Sequence, residues 1–382
     1  MQRKVTYKDI NQTYPWIRVI GLLFIIYYLS ICPASAQRMD NVAEHSKYIQ
    51  AVDEFCPAPG QFVNVYPEYE VGDTYQSILE KCTNGLANHN GELVSLGAYG
   101  GYITFHFDHS IANVPGQADV VILGNAMAGG SEPGIVMVSK DVNKNGLPDD
   151  TWYELKGSAD EDGRAVYNYR IVYQRPLTEN KDAVQSEISK HVTIENYIPW
   201  TDNKGGSGFV HKNEYHDQTY YPQWVDADEL IFEGTLLPQN GQNTLTLPAE
   251  NWLLSSFEWG YVDNYPNARL SDNSFDFDLA VDHNRQPVSL DFVDFVRVYC
   301  AENQSCGWIG ETSTDVLDAY DLHLEESLAR VKEAVSGIAD AFTNDMIMKD
   351  CYSIQGVKQS EPSRGLNILR MNNGTIKKRF IK

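Results

Sequence analysis

What this 382-residue chain lacks narrows its function first. No two cysteines stand in a CxxC pair, so the usual ligand spacing of a structural zinc site is missing. No GxSxG turn and no P-loop occur, and the glycine pairs at 100 and 129 do not lead into helices, so phosphate cradles are not expected. His211, Glu214 and His216 suggest a zinc protease only at first sight. HExxH sets two histidines four apart on one helical face, and here they stand five apart in a glycine-rich, strand-like segment. His106 and His109 close a strand pattern and read as structural groups. Basic residues are scarce, 30 against 52 acidic ones, for a net charge of −22.

The apolar run VIGLLFIIYYLSI (19–31) is shorter than the roughly 20 residues that span a bilayer. Arg3, Lys4, Lys8 and Arg18 flank it, and Ala34-Ser35-Ala36 follows, as in a secretory signal cleaved before Gln37. A rival reading takes LSIC (29–32) as a lipobox, which would make Cys32 the lipidated N-terminus of an outer-membrane lipoprotein. The signal holds four basic residues and one acidic one, and residues 356–382 hold seven and one. The remainder carries 19 basic and 50 acidic residues, a net of −31. Such a body repels nucleic acid and anionic membrane; it suits cation binding, or solubility outside the cell. Five cysteines remain after cleavage, with Cys56–Cys82 and Cys300–Cys306 the nearest pairs in a compartment that permits disulfides.

Strand patterns dominate what is present. In YITFHFD (102–108), Ile103, Phe105 and Phe107 share one face. ADVVILGN (118–125) is apolar throughout, as in a strand buried on both faces. GIVMVSKD (134–141), AVYNYRIVYQ (165–174), ELIFEGTL (229–236) and FVDFVRVYC (292–300) continue the series, with Gly, Pro, Asn and Asp between them. One short helix fits TYQSILEKC (74–82). Many short strands without alternating helices predict an all-β fold, an antiparallel, jelly-roll-like β-sandwich. The expected organisation is a signal peptide (1–36), an N-terminal extension (37–70), the sandwich (71–313), a helical segment (314–349) and a small β tail (350–382). The helical segment rests on an apolar stripe of Leu324, Leu328, Val331, Val335, Ile338 and Phe342, an amphipathic helix.

DVNKNGLPDDTWYEL (141–155) carries the clearest metal signal. With Asp141 at position 1, Asn143 and Asn145 fall at 3 and 5, Gly146 at 6, Leu147 at 7 and Asp149 at 9. An EF-hand-like loop takes side-chain oxygens at 1, 3 and 5, a backbone carbonyl at 7 and a ligand at 9, with glycine at 6 for the sharp turn. Trp152 replaces the usual bidentate Glu at position 12, so Asp150 or Glu154 would supply that carboxylate. The expected ion is Ca2+; the alternative is an Asx-rich turn without metal. Asp276, Asp278 and Asp282 in FDFDLAVDHNRQPV (275–288) read as hairpin turn chemistry ahead of a second cation site.

The aromatic segment NYIPWTDNKGGSGFVHKNEYHDQTYYPQW (196–224) is the natural ligand-binding candidate. Trp200, Tyr215, His216, Tyr220, Tyr221 and Trp224 offer apolar faces with hydrogen-bonding tips, which suit sugar rings or another flat ligand. The competing reading puts the same aromatics in the core. Glycoside chemistry needs two facing carboxylates, and among 52 acids the sequence singles out no pair.

SLGAYGGYITFHFDHSI, ILGNAMAGGSEPGIVMVS, DVNKNGLPDDTWYELKGS, YYPQW, WGYVDN, DFVRVY and GWIGETSTDVLDAYDLHL together resemble a family of secreted cell-surface proteins of Bacteroidota, over about 90–325. The resemblance implies a β-sandwich, export and no assigned chemistry. It places Asp141, Asn143, Asn145, Asp149 and Asp150 on the family's calcium-like loop, and it associates the chain with outer-membrane cobalamin or nutrient uptake. The tail is similar to the C-terminal sorting-type segments of the same phylum. The leading expectation is a non-enzymatic surface protein that captures a glycan or a small nutrient such as a cobalamin, with an outer-membrane uptake receptor as partner and no nucleic acid. A carbohydrate-active hydrolase or lyase and a structural adhesin are the alternatives.

Overall fold

The computed structural model describes residues 45–176, 188–329, 348–353, 358–359, 365–371 and 376–381. The signal peptide, Cys32 and most of the 324–342 stripe lie outside the described residues. Everything below belongs to the unit Lys47–Lys382.

The fold is all-β and sandwich-like, built from antiparallel sheets. Six strands form the first sheet, in the order Ala51–Cys56, Tyr102–Ala112, Phe292–Cys300, Gly134–Ser139, Trp152–Leu155 and Ala280–Val281. Register sets β-branched and aromatic residues side by side across it. Val298 pairs with Ile103 on one side and Val136 on the other, and Val296 pairs with Phe105 and Val138. These rows are buried and form the first core, each side chain contributing about 1.5–3 kcal/mol on burial.

A three-stranded sheet (Ser274–Phe275, Val120–Leu123, Asp318–Asp321) shares that core through Val120, Ile122, Phe275 and Ala319. Val120, Val121 and Ile122 are all buried, as a strand covered on both faces must be. The helix Tyr75–Leu86 adds Ile78, Leu79 and Leu86. It starts where Thr74 and Ser77 form a reciprocal capping box, Ser77 N to Thr74 Oγ1 at 3.2 Å and Thr74 N to Ser77 Oγ at 2.9 Å.

Alternation sends the neighbouring residues of the first sheet to its other face. There a four-stranded sheet (Glu229–Leu236, Val166–Gln174, Val192–Asp202, Ser207–Asn213) builds a second core around Tyr169, Ile171, Tyr173, Ile198 and Phe232, against which Tyr102 packs. A smaller cluster joins Ile135 and Tyr299 to Phe257 and Tyr261.

Two expectations need correction. Residues 315–321 are not helical: Asp315–Val316 pairs with Val94–Ser95, and Asp318–Asp321 pairs with Val120–Leu123. Helix begins only at 324 and is described to 329. Cys56, Cys82, Cys300 and Cys306 are thiols, so neither neighbouring pair is joined. Burial pushes the Cys300 and Cys306 thiols up to about 12, which keeps them protonated and unreactive. The tail contributes a sheet of its own: Lys358–Gln359, Met348–Ser353, Gly365–Met371 and Ile376–Ile381. No helix among the described residues is long and apolar enough to cross a membrane.

Candidate functional site

The 141–150 loop joins Gly134–Ser139 to Trp152–Leu155, strands that pair antiparallel with Ser139 opposite Trp152. Asp294 on the adjacent strand anchors its start by accepting from Asp141 N at 2.7 Å. Inside the loop, Asp141 accepts from Asn145 N (3.1 Å) and Gly146 N (2.9 Å). The amides of Asn143 and Asn145 both donate to Asp149, each at 2.9 Å. Those two donors hold the Asp149 carboxyl below its ordinary value. Gly146, at φ +73°, makes the sharp turn.

Asp141, Asn143, Asn145 and Asp149 are thus brought together; the Oδ1 atoms of Asn143 and Asn145 accept from Asn145 N (2.9 Å) and Leu147 N (2.8 Å), and side-chain oxygens of this kind are what a hard cation takes. Leu147 has a hydrocarbon side chain, so only its backbone carbonyl could serve. Asp150 accepts from Val142 N (2.9 Å) and Asn143 N (3.3 Å), which ties the end of the loop to its start. Glu154 is unavailable to it: its oxygens accept from Tyr299 Oη and Thr235 Oγ1, both at 2.7 Å, and pair with Arg285.

The aromatic segment splits into two groups. Tyr220 and Tyr221 are buried in the second core, and Trp200 packs against it. Trp224 stacks on Phe55 (5.9 Å) and Tyr69 (6.4 Å) at the first core. These four residues are packing groups: burying large rings stabilises the two cores more than leaving them in solvent would. Tyr215 and His216 are different, because both line an open cleft of about 730 Å3. His211 and Glu214 do not join them; His211 binds the Glu195 carbonyl and Glu214 pairs with His191.

Segments remote in sequence complete the cleft. Phe62 meets His216 edge-on at 4.7 Å. Met127 comes from the tight turn to Gly130, Trp252 from the strand Trp252–Leu254, and Trp308 from the turn Gly307–Ile309. Met127 is 69% exposed, Tyr215 55% and Trp308 43%, so the cleft offers unpartnered apolar surface. One carboxylate orients both tryptophans: Glu250 Oε2 accepts from Trp252 Nε1 (3.1 Å) and Trp308 N (3.2 Å). Burial pushes that carboxyl up, but Ser189, Trp252 and Trp308 outweigh it and hold it below its ordinary value. Gly307 is required here, at φ +58°, since a Cβ would stand 2.4 Å from Trp252 Nε1.

The polar part of the cleft is Gln61, Asn125 and Glu132, and buried acids hold the first two. Glu311 Oε1 accepts from Gln61 N at 2.6 Å. Asp263 Oδ1 accepts from Asn125 N at 2.7 Å, and Asp315 Oδ2 from Asn125 Nδ2 at 2.7 Å. Glu132 accepts from Ser313 N at 3.1 Å. Burial, then the charges of Asp315 and Asp263, push Glu132 well above its ordinary value. Glu311 rises through burial to about 8, and burial also raises Asp263 and Asp315. Aromatic composition did not reveal Phe62, Met127, Trp252 and Trp308. Motif content carried part of the signal, since ILGNAMAGGSEPGIVMVS contains Asn125, Met127 and Glu132, and GWIGETSTDV contains Trp308, Glu311 and Asp315.

Elsewhere the acidic turns are turns. Asp282 accepts from Asn284 N and Gln286 N, both at 2.8 Å, and Asp276 caps Asp278 N at 2.8 Å. His106 pairs with Asp53 and His109 with Asp321, each at 2.8 Å. No known protein family and no curated protein matches the chain.

Proposed function

We propose that this chain is an exported cell-surface binding protein that captures a glycan or a small nutrient, such as a cobalamin, in the cleft between Tyr215, Trp252 and Trp308. The observation that carries the reading is the cleft itself: aromatic and aliphatic walls, three exposed apolar side chains, and a few fixed polar groups at Gln61, Asn125 and Glu132. Its volume falls in the roughly 300–1,000 Å3 range of small-ligand sites. Glu132 is the one acid among the described residues that line it. Glycoside cleavage takes two facing carboxylates, so the lining favours capture over turnover.

In this reading Ca2+ sits in the 141–150 loop on the oxygens of Asp141, Asn143, Asn145, Asp149 and Asp150 with the Leu147 carbonyl, and it stiffens the hairpin connection between two neighbouring strands of the first sheet. The N-terminal signal supports export, the quoted motifs support a likeness to the Bacteroidota surface-protein family, and that resemblance supports hand-over to an outer-membrane uptake receptor. Titration calorimetry of the mature chain with glycans and corrinoids tests the capture. Trp308→Ala, at a half-exposed position, should weaken binding at least about tenfold, the size expected for an aromatic anchor. Absence of heat with every glycan and corrinoid would end the proposal.

A further inference from the structure

A second, smaller pocket lies where the first sheet meets the four-stranded sheet, and it shares no lining residue with the cleft. Trp152 and Glu154 come from one sheet, Tyr167 and Glu233 from the other, and the turn carrying Asp282 and Arg285 closes it. Its volume is about 140 Å3. A cavity of roughly 150 Å3 takes a ligand the size of benzene, so a sugar would insert part of one ring and leave its outer hydroxyls at the rim.

Its walls are fixed before any ligand arrives. The Arg297 guanidinium lies 4.1 Å from the Trp152 ring, and that of Arg285 lies 4.6 Å from the Tyr167 ring. Tyr167 Oη donates to Asp160 at 2.9 Å. Arg285 spans Glu154 and Asp160, and its Nε is buried without an acceptor. Two lining residues other than glycine hold left-handed backbone, Asn168 at φ +52° and Arg285 at φ +61°. Such conformations persist where the surroundings over-determine them, and they concentrate at ligand sites.

The chemistry selects the ligand. Arg285 already balances Glu154 and Asp160, while Glu233 and Asp282 leave the rim acidic, so an anion is repelled. A purely apolar ligand would take the exposed Glu233 carboxylate and Asn168 amide out of water without replacing their hydrogen bonds. A ring with C–H faces and several hydroxyls satisfies both the aromatic walls and the polar groups. We infer that this pocket binds a single neutral sugar ring, independently of the large cleft.

The test is saturation-transfer NMR and titration calorimetry of the mature chain with glucose, galactose, mannose and xylose, with glucuronate as the anionic control. A neutral monosaccharide should bind, and glucuronate should bind at least about tenfold more weakly. Trp152→Ala should weaken the neutral sugar at least about tenfold. Glu233→Gln, at an exposed position that does not endanger folding, should weaken it several-fold, and Trp308→Ala should leave it unchanged. The inference fails if no neutral monosaccharide saturates the protein, or if glucuronate binds as tightly. It also fails if Trp308→Ala abolishes sugar binding while Glu233→Gln does nothing, an outcome that would place the sugar in the large cleft and leave the capture proposal standing.

Discussion

Replacing Glu311 by glutamine should make the protein more stable at pH 8 and nearly unchanged at pH 5. Glu311 is 4% exposed; Oε1 accepts from Gln61 N at 2.6 Å, and Oε2 is buried with no partner. Burial raises its carboxyl from the ordinary 4.5 to about 8. Between those values the folded chain holds a proton that the unfolded chain has released. Stability from this group is therefore complete below about pH 4.5, falls as pH rises, and levels off above about 8. At about 1.4 kcal/mol per tenfold change in proton concentration, the full loss is at most about 5 kcal/mol. That is a large part of the roughly 5–15 kcal/mol that holds a domain together.

Glutamine keeps the acceptor for Gln61 and never ionises. It also removes a charge that raises Glu132 and Asp315, so their own pH dependence should ease slightly. The assay is the urea midpoint of wild type and Glu311→Gln at half-unit steps from pH 4.5 to 8.5. The two curves should meet near pH 5 and diverge upward, the variant ahead by a few kcal/mol at pH 8. Parallel curves, or a variant less stable than wild type at pH 8, would refute the reasoning.

Two further outcomes are expected. Saturating the 141–150 loop with Ca2+ at ~100 times Kd should add about 2.7 kcal/mol, so a chelator should lower the melting temperature, and Asp141→Ala should abolish that response; a wild-type melt indifferent to chelator would remove the ion from the loop. Gly97→Ala should cost about 3 kcal/mol or more, because a Cβ there would stand 1.9 Å from the Ala58 carbonyl oxygen at φ +71°. Gly116→Ala, at φ +72° in open space, should cost only the left-handed strain of about 1–2 kcal/mol, and equal losses in the two variants' urea midpoints would contradict the packing argument.

The strands that the sequence revealed are those whose pattern is local. Ile103, Phe105 and Phe107 alternate because one sheet face is buried, and Val120 to Ile122 run apolar because both faces are. Asp318–Asp321 was hidden for the opposite reason. Its partner is Val120–Leu123, with Asp318 opposite Leu123, and no neighbouring residue signals so distant a pairing. Turn chemistry was local for Asp276 and Asp282, which bond to amides two or four residues away, a distance that composition can reveal, whereas Asp278 accepts from Asn113 Nδ2 and Gly116 N, both at 2.9 Å, which it cannot.

Aromatic richness failed as a guide to the ligand surface because it does not say which side of a strand or loop a ring takes. Tyr215 is 55% exposed while Tyr220 and Tyr221, a few residues on, are buried. Net charge failed in the same way. The acidic total reads as solvated surface, yet Asp263, Glu302, Glu311 and Asp315 are buried, and three of them stand behind the cleft's polar residues. Burial of an acid is decided by contacts from distant segments, which a sum over residues cannot contain.

The motifs held more of the site than composition did. ILGNAMAGGSEPG supplies Asn125, Met127 and Glu132 to the cleft, WGYVDN supplies Asp263 behind Asn125, and GWIGETSTDV supplies Trp308 with Glu311 and Asp315 behind Gln61 and Asn125. Three stretches far apart in the chain thus meet through the hydrogen bonds of buried carboxylates. A packing role alone would be met by apolar side chains at lower desolvation cost, since a buried acid must be bonded, protonated or both. That these acids aim their accepting oxygens at Gln61 and Asn125, the polar groups of the cleft, ties the expense of burying them to the shape of the cleft. Loss of Glu311 or Asp263 should accordingly disturb ligand binding even where the fold survives.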